Sequence, residues 1–348
     1  SGGATCPSLL LEPSRTNIFS NSEYFGDSFW LHTGTSVVNG FTSPEGTNNA
    51  YNLVEDTSTG NHTFYSDNIS VTFGSGYTYS CYVKKAGRSK IRIDGGYRLS
   101  IDATFNLDTL VVTGTGTIET LSDGWFRLTA SGTGDLSTGN TNLFFYLLNN
   151  SGTQSYTGDG TSGVYIYGAQ LEAASYATSY IPTYGVSQTR AEEITYVLNA
   201  TNIIGQSEGT MFVEYDQNRI GQAATRRIMA LTDGGINNRI VVYISSANKI
   251  DFYVRNSSGQ LFLGTSVNVN TKGIHKIAAA YKDGDYVVYL DGVEIISGSG
   301  TAGTIPACNR IDLGSQIGAN DLFEPIKQSL LFKTRLSNLD LAILTGAT

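Results

Sequence analysis

Charge is scarce in this chain: Asp, Glu, Lys and Arg make up 15% of its 348 residues. So little charge is less typical of a free-floating enzyme than of a protein that turns part of its surface toward other subunits, where charged residues are depleted. Positive charge is the scarcer kind, with 22 Lys and Arg against 30 Asp and Glu, a net charge of -8. Residues 1–196 hold 9 basic and 17 acidic residues, whereas residues 197–348 hold 13 of each. An acidic first half argues against sequence-independent nucleic-acid binding, because phosphate contacts need a positive field. The step in charge also marks a domain boundary near residue 196. Only three cysteines occur, Cys6, Cys81 and Cys308, far apart and without a CxxC. They predict neither a zinc site nor a disulfide framework. Buried or half-exposed free thiols are expected, with a Cys6–Cys81 bridge left open. No apolar run reaches the ~18 residues of a membrane-spanning helix, so no membrane insertion is expected. The start, Ser1-Gly-Gly-Ala-Thr-Cys-Pro7, has no Met and no secretory leader pattern. It is expected to belong to the ordered or processed part of a longer polypeptide.

Gly, Ser, Thr, Asn and aromatics fill the deficit: 40 Gly, 21 Tyr and 15 Phe stand against 2 Met. Alternating apolar and polar residues bounded by Gly, Asn and Asp recur, and helical periodicity is almost absent, which is the pattern of sandwich strands. The expected fold class is all-β, two β-sandwiches (jelly-roll or concanavalin-A-like) in tandem. The expected domains are 1–190 and 201–348, joined by a linker over 191–200. Expected strands include Ala50–Glu55, Tyr77–Lys84, Lys90–Asp94, Thr141–Leu148 and Gly163–Glu172, then Arg227–Leu231, Arg239–Ile244, Lys249–Arg255 and Gly273–Tyr281. Side chains at i and i+2 share a strand face, so Tyr77, Tyr79, Cys81 and Val83 are expected on one face. Tyr176, Tyr180 and Tyr184 recur every four residues, but Ser, Thr and Pro182 forbid a helix there. That segment is expected to run extended along the edge of the first domain. Asp283-Gly284 and Asp291-Gly292 are expected turns. Ser337 with Asp340 predicts the N-cap of one short helix, Asn338–Leu344.

Leu9-Leu-Leu-Glu-Pro-Ser-Arg-Thr-Asn17, Asn21-Ser-Glu-Tyr-Phe25 and Trp30 resemble a recurrent segment of bacteriophage tail and fibre proteins. Gly168-Ala-Gln-Leu-Glu172, Tyr176-Ala-Thr-Ser-Tyr-Ile-Pro-Thr183 and Thr189-Arg-Ala191 resemble its usual partner at the end of that domain. Asp123-Gly-Trp-Phe-Arg-Leu128 is similar to a strand of carbohydrate-binding-module jelly rolls. Lys276-Ile-Ala-Ala-Ala-Tyr281, Val287-Val-Tyr-Leu-Asp-Gly-Val-Glu294, Asp312-Leu-Gly-Ser315 and the closing Leu331–Asp340 resemble laminin-G/concanavalin-A-like lectin domains. These resemblances imply a virion protein on a tail or fibre surface that binds host-surface glycans without turnover. They imply other virion proteins as partners and a homotrimer. A capsid or tail decoration protein and a polysaccharide depolymerase are the alternatives.

Few residues suggest catalysis. A concanavalin-like glycosidase needs paired carboxylates on one cleft, and Glu214-Tyr-Asp216 lacks the third acid of that pattern. It reads as an exposed strand. His32, His62 and His275 stand in no catalytic pattern, and His275 reads as a surface residue. No catalytic residue and no organic cofactor are expected. Structural calcium takes loop oxygens, and Asp233 and Asp321 are the candidates, in loops where related lectin-like domains place a metal. The Asp-Asp pair that many jelly-roll modules carry in their last strand is missing here. Saccharide recognition needs flat aromatics and polar hydroxyl partners. The candidates are Trp30, Tyr97 and Arg98 in the first domain, with Trp125 read as core. In the second they are Asn237, Asn238, Arg239 and Tyr243. Lys84, Lys85, Arg88, Lys90 and Arg92 form the one local basic run. It reads as a solvated turn, with an acidic polysaccharide or a neighbouring subunit as the alternative contact.

Overall fold

A computed structural model describes residues 9–346 apart from 219, 222, 223, 269, 270, 317–321 and 323. The chain is nearly all β and divides into two compact units, Ser14–Ala191, and Ser1–Pro13 with Glu192–Thr348.

The first unit is a sandwich of two antiparallel sheets. One runs Val111–Gly114, Asp102–Asn106, Lys90–Asp94, Phe144–Leu148, Thr59–Ser66, Ser155–Thr157, with Trp30–Thr33 also pairing to Thr59–Ser66. The other runs Gly116–Thr120, Trp125–Thr133, Gly76–Ala86, Gly163–Glu172, Ala50–Glu55, Thr35–Phe41. Alternation sorts their side chains: Tyr77, Tyr79, Cys81 and Val83 enter one core with Ile91, Ile93, Phe105, Phe145 and Ile166. The expected strand Thr141–Leu148 is two, Gly139–Thr141 and Phe144–Leu148, because the former leaves to pair with Ile69–Val71.

The tyrosine-bearing segment lies over a sheet face rather than along an edge. Thr78 Oγ1 donates to the Ala174 carbonyl (2.9 Å), and Tyr180 packs against Tyr82 and Tyr167. The segment is drawn there because that face carries buried polar groups that need partners. The Gln170 side chain accepts from the Ile181 N–H (2.7 Å), and Glu172 accepts from the Thr178 N–H (2.9 Å) and hydroxyl (2.5 Å). The stretches 14–25 and 168–191 close the unit on each other. The Asn17 amide donates to the carbonyls of Ala169 and Ile181, and its oxygen accepts from Leu171 N–H. Glu23 gathers the hydroxyls of Tyr167, Tyr180 and Tyr184.

The second unit is also a two-sheet sandwich. Six strands run Thr195–Val197, Arg310–Leu313, Arg226–Thr232, Arg239–Ile244, Lys249–Asn256, Gly259–Asn268, and five run Val293–Gly298, Asp285–Leu290, Gly273–Lys282, Glu208–Gln217, Ile326–Phe332. The Asp291-Gly292 turn has positive φ at both residues (50° and 85°), as a type I′ hairpin requires. The helix Asn338–Thr345 is capped by Ser337, whose Oγ accepts from Asp340 N–H (3.1 Å). It seals the outer face of the five-stranded sheet, burying Leu341 against Phe212, Ala278, Ala280, Val287 and Tyr289.

Two boundaries differ from the sequence reading. Leu9 exchanges backbone hydrogen bonds with Ile326, and Leu11 is buried in the second unit's core, beside Gly314, where a Cβ would meet it at 2.4 Å. The expected linker 191–200 contains Thr195–Val197, an edge strand on Arg310–Leu313, and Ala200 N–H bonds to Asn309. In these stretches Leu11 and Ala200 are buried in the second unit's core, and backbone pairing holds the rest while Ile194, Tyr196, Val197 and Leu198 stay exposed. Cys81 and Cys308 are free and buried, and burial pushes both thiols up to about 12, so neither is a thiolate nucleophile. Cys6 lies outside the described residues.

Candidate functional site

In the first unit, the face turned away from the core on the Lys90–Asp94 sheet carries an aromatic strip. Register places Leu31, Tyr65, Phe144, Asp94 and Asp102 in one cross-strand row. The next row is Thr33, Thr63, Tyr146, Arg92 and Thr104. Their strand neighbours Phe64, Phe145, Ile91, Ile93 and Phe105 fill the core, so the period of two forces these side chains outward. Tyr65 and Phe144 are stacked at 4.9 Å, and Phe144 and Tyr146 lie within 16° of parallel at 5.8 Å. The three half-buried rings make one flat surface. Polar groups border it: Arg92 bonds Asp102 (2.9 Å) and the Gln154 side-chain oxygen (2.8 Å), and pairs with Asp94 (2.8 Å). Flat aromatics bordered by fixed carboxylates, amide and guanidinium suit the CH faces and hydroxyls of a saccharide.

Tyr97 and Arg98 stand on the loop that leaves this sheet after Asp94. Tyr97 is 75% exposed, with the Arg98 guanidinium 5.6 Å from its ring centre. Gly96, at φ 69°, bonds Asp94 through its N–H and passes Phe144 where a Cβ would lie 3.3 Å from the ring. Trp30 is a correction. It is 3% exposed, packed among Phe19, Phe25, Phe29 and Phe64, and its indole N–H donates to the Asn21 carbonyl (2.7 Å). A ring so enclosed offers no face to a ligand. Trp125 is buried beside Ala50 and Tyr167.

Most of the basic run is paired. Arg88 pairs with the buried Glu55 (2.5 Å), Lys85 with Asp108 (2.9 Å), Arg92 with Asp94 and Asp102, and Lys90 donates to the Asn150 carbonyl. Burial pushes the Glu55 carboxyl up, but Arg88, the Tyr156 hydroxyl and the Asp159 N–H outweigh it and hold it below its usual value. Three of its five cations are thus paired with carboxylates, and Lys84 and Lys90 have no ion pair among the described residues.

In the second unit, Arg239 and Tyr243 lie on one strand, on the outward face of the six-stranded sheet, opposite Ile240, Val242 and Ile244 in the core. Register adds residues that the motif search missed. Arg227, Tyr243 and Asp251 form one row, and Arg239 and Arg255 stand directly opposite each other. Tyr253 stands opposite Val241 in the row between them. The signal was present as alternation in Ile250-Asp-Phe-Tyr-Val-Arg255, whose polar members share the outward face. Arg227 stacks on Tyr243 (4.3 Å) and Arg239 on Tyr253 (4.8 Å). Asn238 is not free for a ligand, because its amide donates to Asp233 (2.8 Å) and its oxygen accepts from Ser257 N–H (3.0 Å). Asn237 is exposed in the loop.

Asp233 uses its other oxygen on Gly235 N–H (2.8 Å), so the candidate calcium ligand caps its own turn. Asp321 lies outside the described residues. Among the described residues no group of three or more His, Cys, Asp and Glu could hold a metal. Glu214 faces Lys276 (4.0 Å) on the strand pair Glu208–Gln217 and Gly273–Lys282. His275 is a second correction: it is buried and pairs through Nδ1 with Asp291 (2.6 Å), while Nε2 lies 3.0 Å from the Thr271 carbonyl oxygen. The type I′ turn aims Asp291 back at the start of the hairpin's own strand.

Neither a protein-family model nor a curated protein matches the chain. Among solved structures it is similar to the Ruminococcus gnavus IT-sialidase CBM40 bound to α2,3 sialyllactose, with 16% identity, 42% of this chain and 87% of that one covered, and TM-score 0.38. It is similar to the NanB sialidase of Streptococcus pneumoniae (K499G), with 14% identity, 44% and 27% covered, and TM-score 0.36. It is also similar to the native heptameric SAP-like pentraxin of Limulus polyphemus, with 13% identity, 39% and 68% covered, and TM-score 0.31. At these scores the reading of the site rests on its own geometry.

Proposed function

We propose that this chain is a non-catalytic glycan-binding protein of a bacteriophage tail or fibre, holding saccharide on the Tyr65–Phe144–Tyr146 strip. One observation carries the binding reading: three rings stack outward on an open sheet face, bordered by Arg92, Asp94, Asp102 and Gln154. The placement on a virion, the homotrimer and the laminin-G/concanavalin-A-like character of the second unit rest on the sequence resemblances. Several copies on one particle would raise weak single-site affinity through avidity.

The test is a glycan-array and host-cell binding assay on the chain and on Phe144→Ala with Tyr146→Ala, with the supernatant analysed for released sugar. Binding that falls about tenfold or more in the double variant is expected, from ~1–1.5 kcal/mol per aromatic contact. Unchanged binding would move the site off the strip, and released oligosaccharide would overturn the non-catalytic reading. Mass spectrometry of purified phage particles tests the virion assignment, which fails if the chain is absent from them.

A further inference from the structure

The six-stranded sheet of the second unit carries charge that its own fold leaves unanswered. In that unit Arg310 pairs with Asp312, Arg335 with Asp285, and Arg226 donates to the Asn248 side chain (3.1 Å). Arg239 and Arg255 have neither an ion pair nor a side-chain hydrogen bond among the described residues, yet they stand directly opposite each other on neighbouring strands. Like charges in that register destabilise a sheet. Burial holds the Arg227 guanidinium below its usual value, and the charge of Arg239 adds to the effect. The Nε atoms of Arg227, Arg239 and Arg255 are all buried without a hydrogen-bond partner. Asp312 also lies in these rows, but it pairs with Arg310, so Asp251 is the carboxylate set against the other three guanidiniums, with Tyr243 between it and Arg227. Arg227, Arg239 and Arg255 against Asp251 leave a net of +2 on one face of a unit that as a whole carries 13 basic and 16 acidic residues. Tyr243 and Tyr253 lie in the same rows and hold two of the guanidiniums flat by stacking.

We infer that this face is a second, separate saccharide site, and that it takes an acidic sugar, with a carboxylate or sulfate seated between Arg239 and Arg255 and Tyr253 beneath the ring. A planar guanidinium pre-set by stacking, as Arg239 is on Tyr253, suits bidentate recognition of a planar carboxylate, and an anion placed there removes the Arg–Arg repulsion. The opposite face of this sandwich shows the contrast: its apolar outer residues are sealed by the helix Asn338–Thr345.

The experiment is titration calorimetry of the full chain with three probes of equal length: oligogalacturonate, a sulfated galactan oligomer and the unsulfated galactan oligomer. Arg239→Ala with Arg255→Ala is expected to lower affinity for an acidic probe by about a hundredfold, roughly tenfold per charge-assisted contact. Affinity for the unsulfated probe should stay unchanged. Arg255→Lys should recover only part of the loss. Wild-type binding should weaken as salt rises from ~50 to ~500 mM. Which acidic probe binds identifies carboxylate or sulfate as the recognised group. Equal binding of charged and uncharged probes, loss of both in the double variant, or preference for single-stranded DNA over every saccharide would overturn the inference. A Phe144→Ala chain run in parallel separates the two readings: it tests the aromatic strip and should leave acidic-probe binding intact. Arg239→Gln with Arg255→Gln keeps the inference testable if the alanine pair fails to fold.

Discussion

The two open sheet faces were built from similar side chains and end with opposite electrostatics. On the first unit's strip, Arg92 is held between Asp94 and Asp102. On the second unit's face, Arg239 and Arg255 face each other without a carboxylate between them. The sequence points the other way, since the visible basic run lies in the first half and the second half is neutral by count. Net charge and local runs say little about a surface field, because cross-strand register decides which charges meet.

The largest break in this comparison is to strip a neutralised cation of its partner. Glu55→Gln leaves the buried Arg88 with only its longer contact to the more exposed Asp159 (3.4 Å) and loses the Tyr156 hydroxyl's acceptor charge. A loss of about 3–5 kcal/mol is expected in urea unfolding of the first unit. In the parent chain Glu55 contributes stability above its ordinary value of 4.5, and that stability is lost as pH falls through its lower folded value.

Asp291→Asn tests a neutralised cation in the second unit. The bond to Asp291 raises the pKa of His275. Burial pushes the Asp291 carboxyl up, but His275 and the Lys276 N–H outweigh it and lower it. The His275 contribution is full below 6.5 and lost as pH rises through its raised folded value. The Asp291 contribution is present above 3.8 and lost as pH falls through its lowered one. Thermal melts should therefore show the largest gap between parent and variant from pH 3.8 to 6.5, on the order of 1 kcal/mol because Asp291 is half open to solvent. A gap that grew above pH 8 would contradict this pairing.

Asp102→Asn would turn the first face toward the second by half-freeing Arg92. Affinity of the strip for an acidic over a neutral saccharide should rise a few-fold, roughly 1 kcal/mol of released charge. The smallest effect sharpens the comparison most. Arg255→Ala should leave stability within about 0.5 kcal/mol of the parent or slightly raise it, since it removes a like-charge pair. A clear destabilisation in denaturant melts would mean that Arg255 serves the fold.

Period-two alternation made much of this legible. It located Ala50–Glu55, Lys90–Asp94, Gly163–Glu172 and Arg239–Ile244 at the bounds observed, because one face of each is apolar and must be buried. It put Tyr77, Tyr79, Cys81 and Val83 on one face, and that face is the core side. Trp30 was misread because a short strand of four residues shows too little alternation to reveal which side faces in. Tyr65 was missed because its strand, Thr59–Ser66, was not expected, and Tyr146 because Tyr65, the strip's other tyrosine, lies 81 positions away in the chain.

By itself, then, the sequence determined the all-β class, many of the longer strands and the Asp-Gly turns, since these depend on neighbours two residues away and on glycine at positive φ. The tertiary structure alone decided which outward faces meet. It set Tyr65 beside Phe144, Arg88 on Glu55 and Arg239 opposite Arg255, because strand order and register are fixed by the packing of the whole core and not by any local stretch of chain.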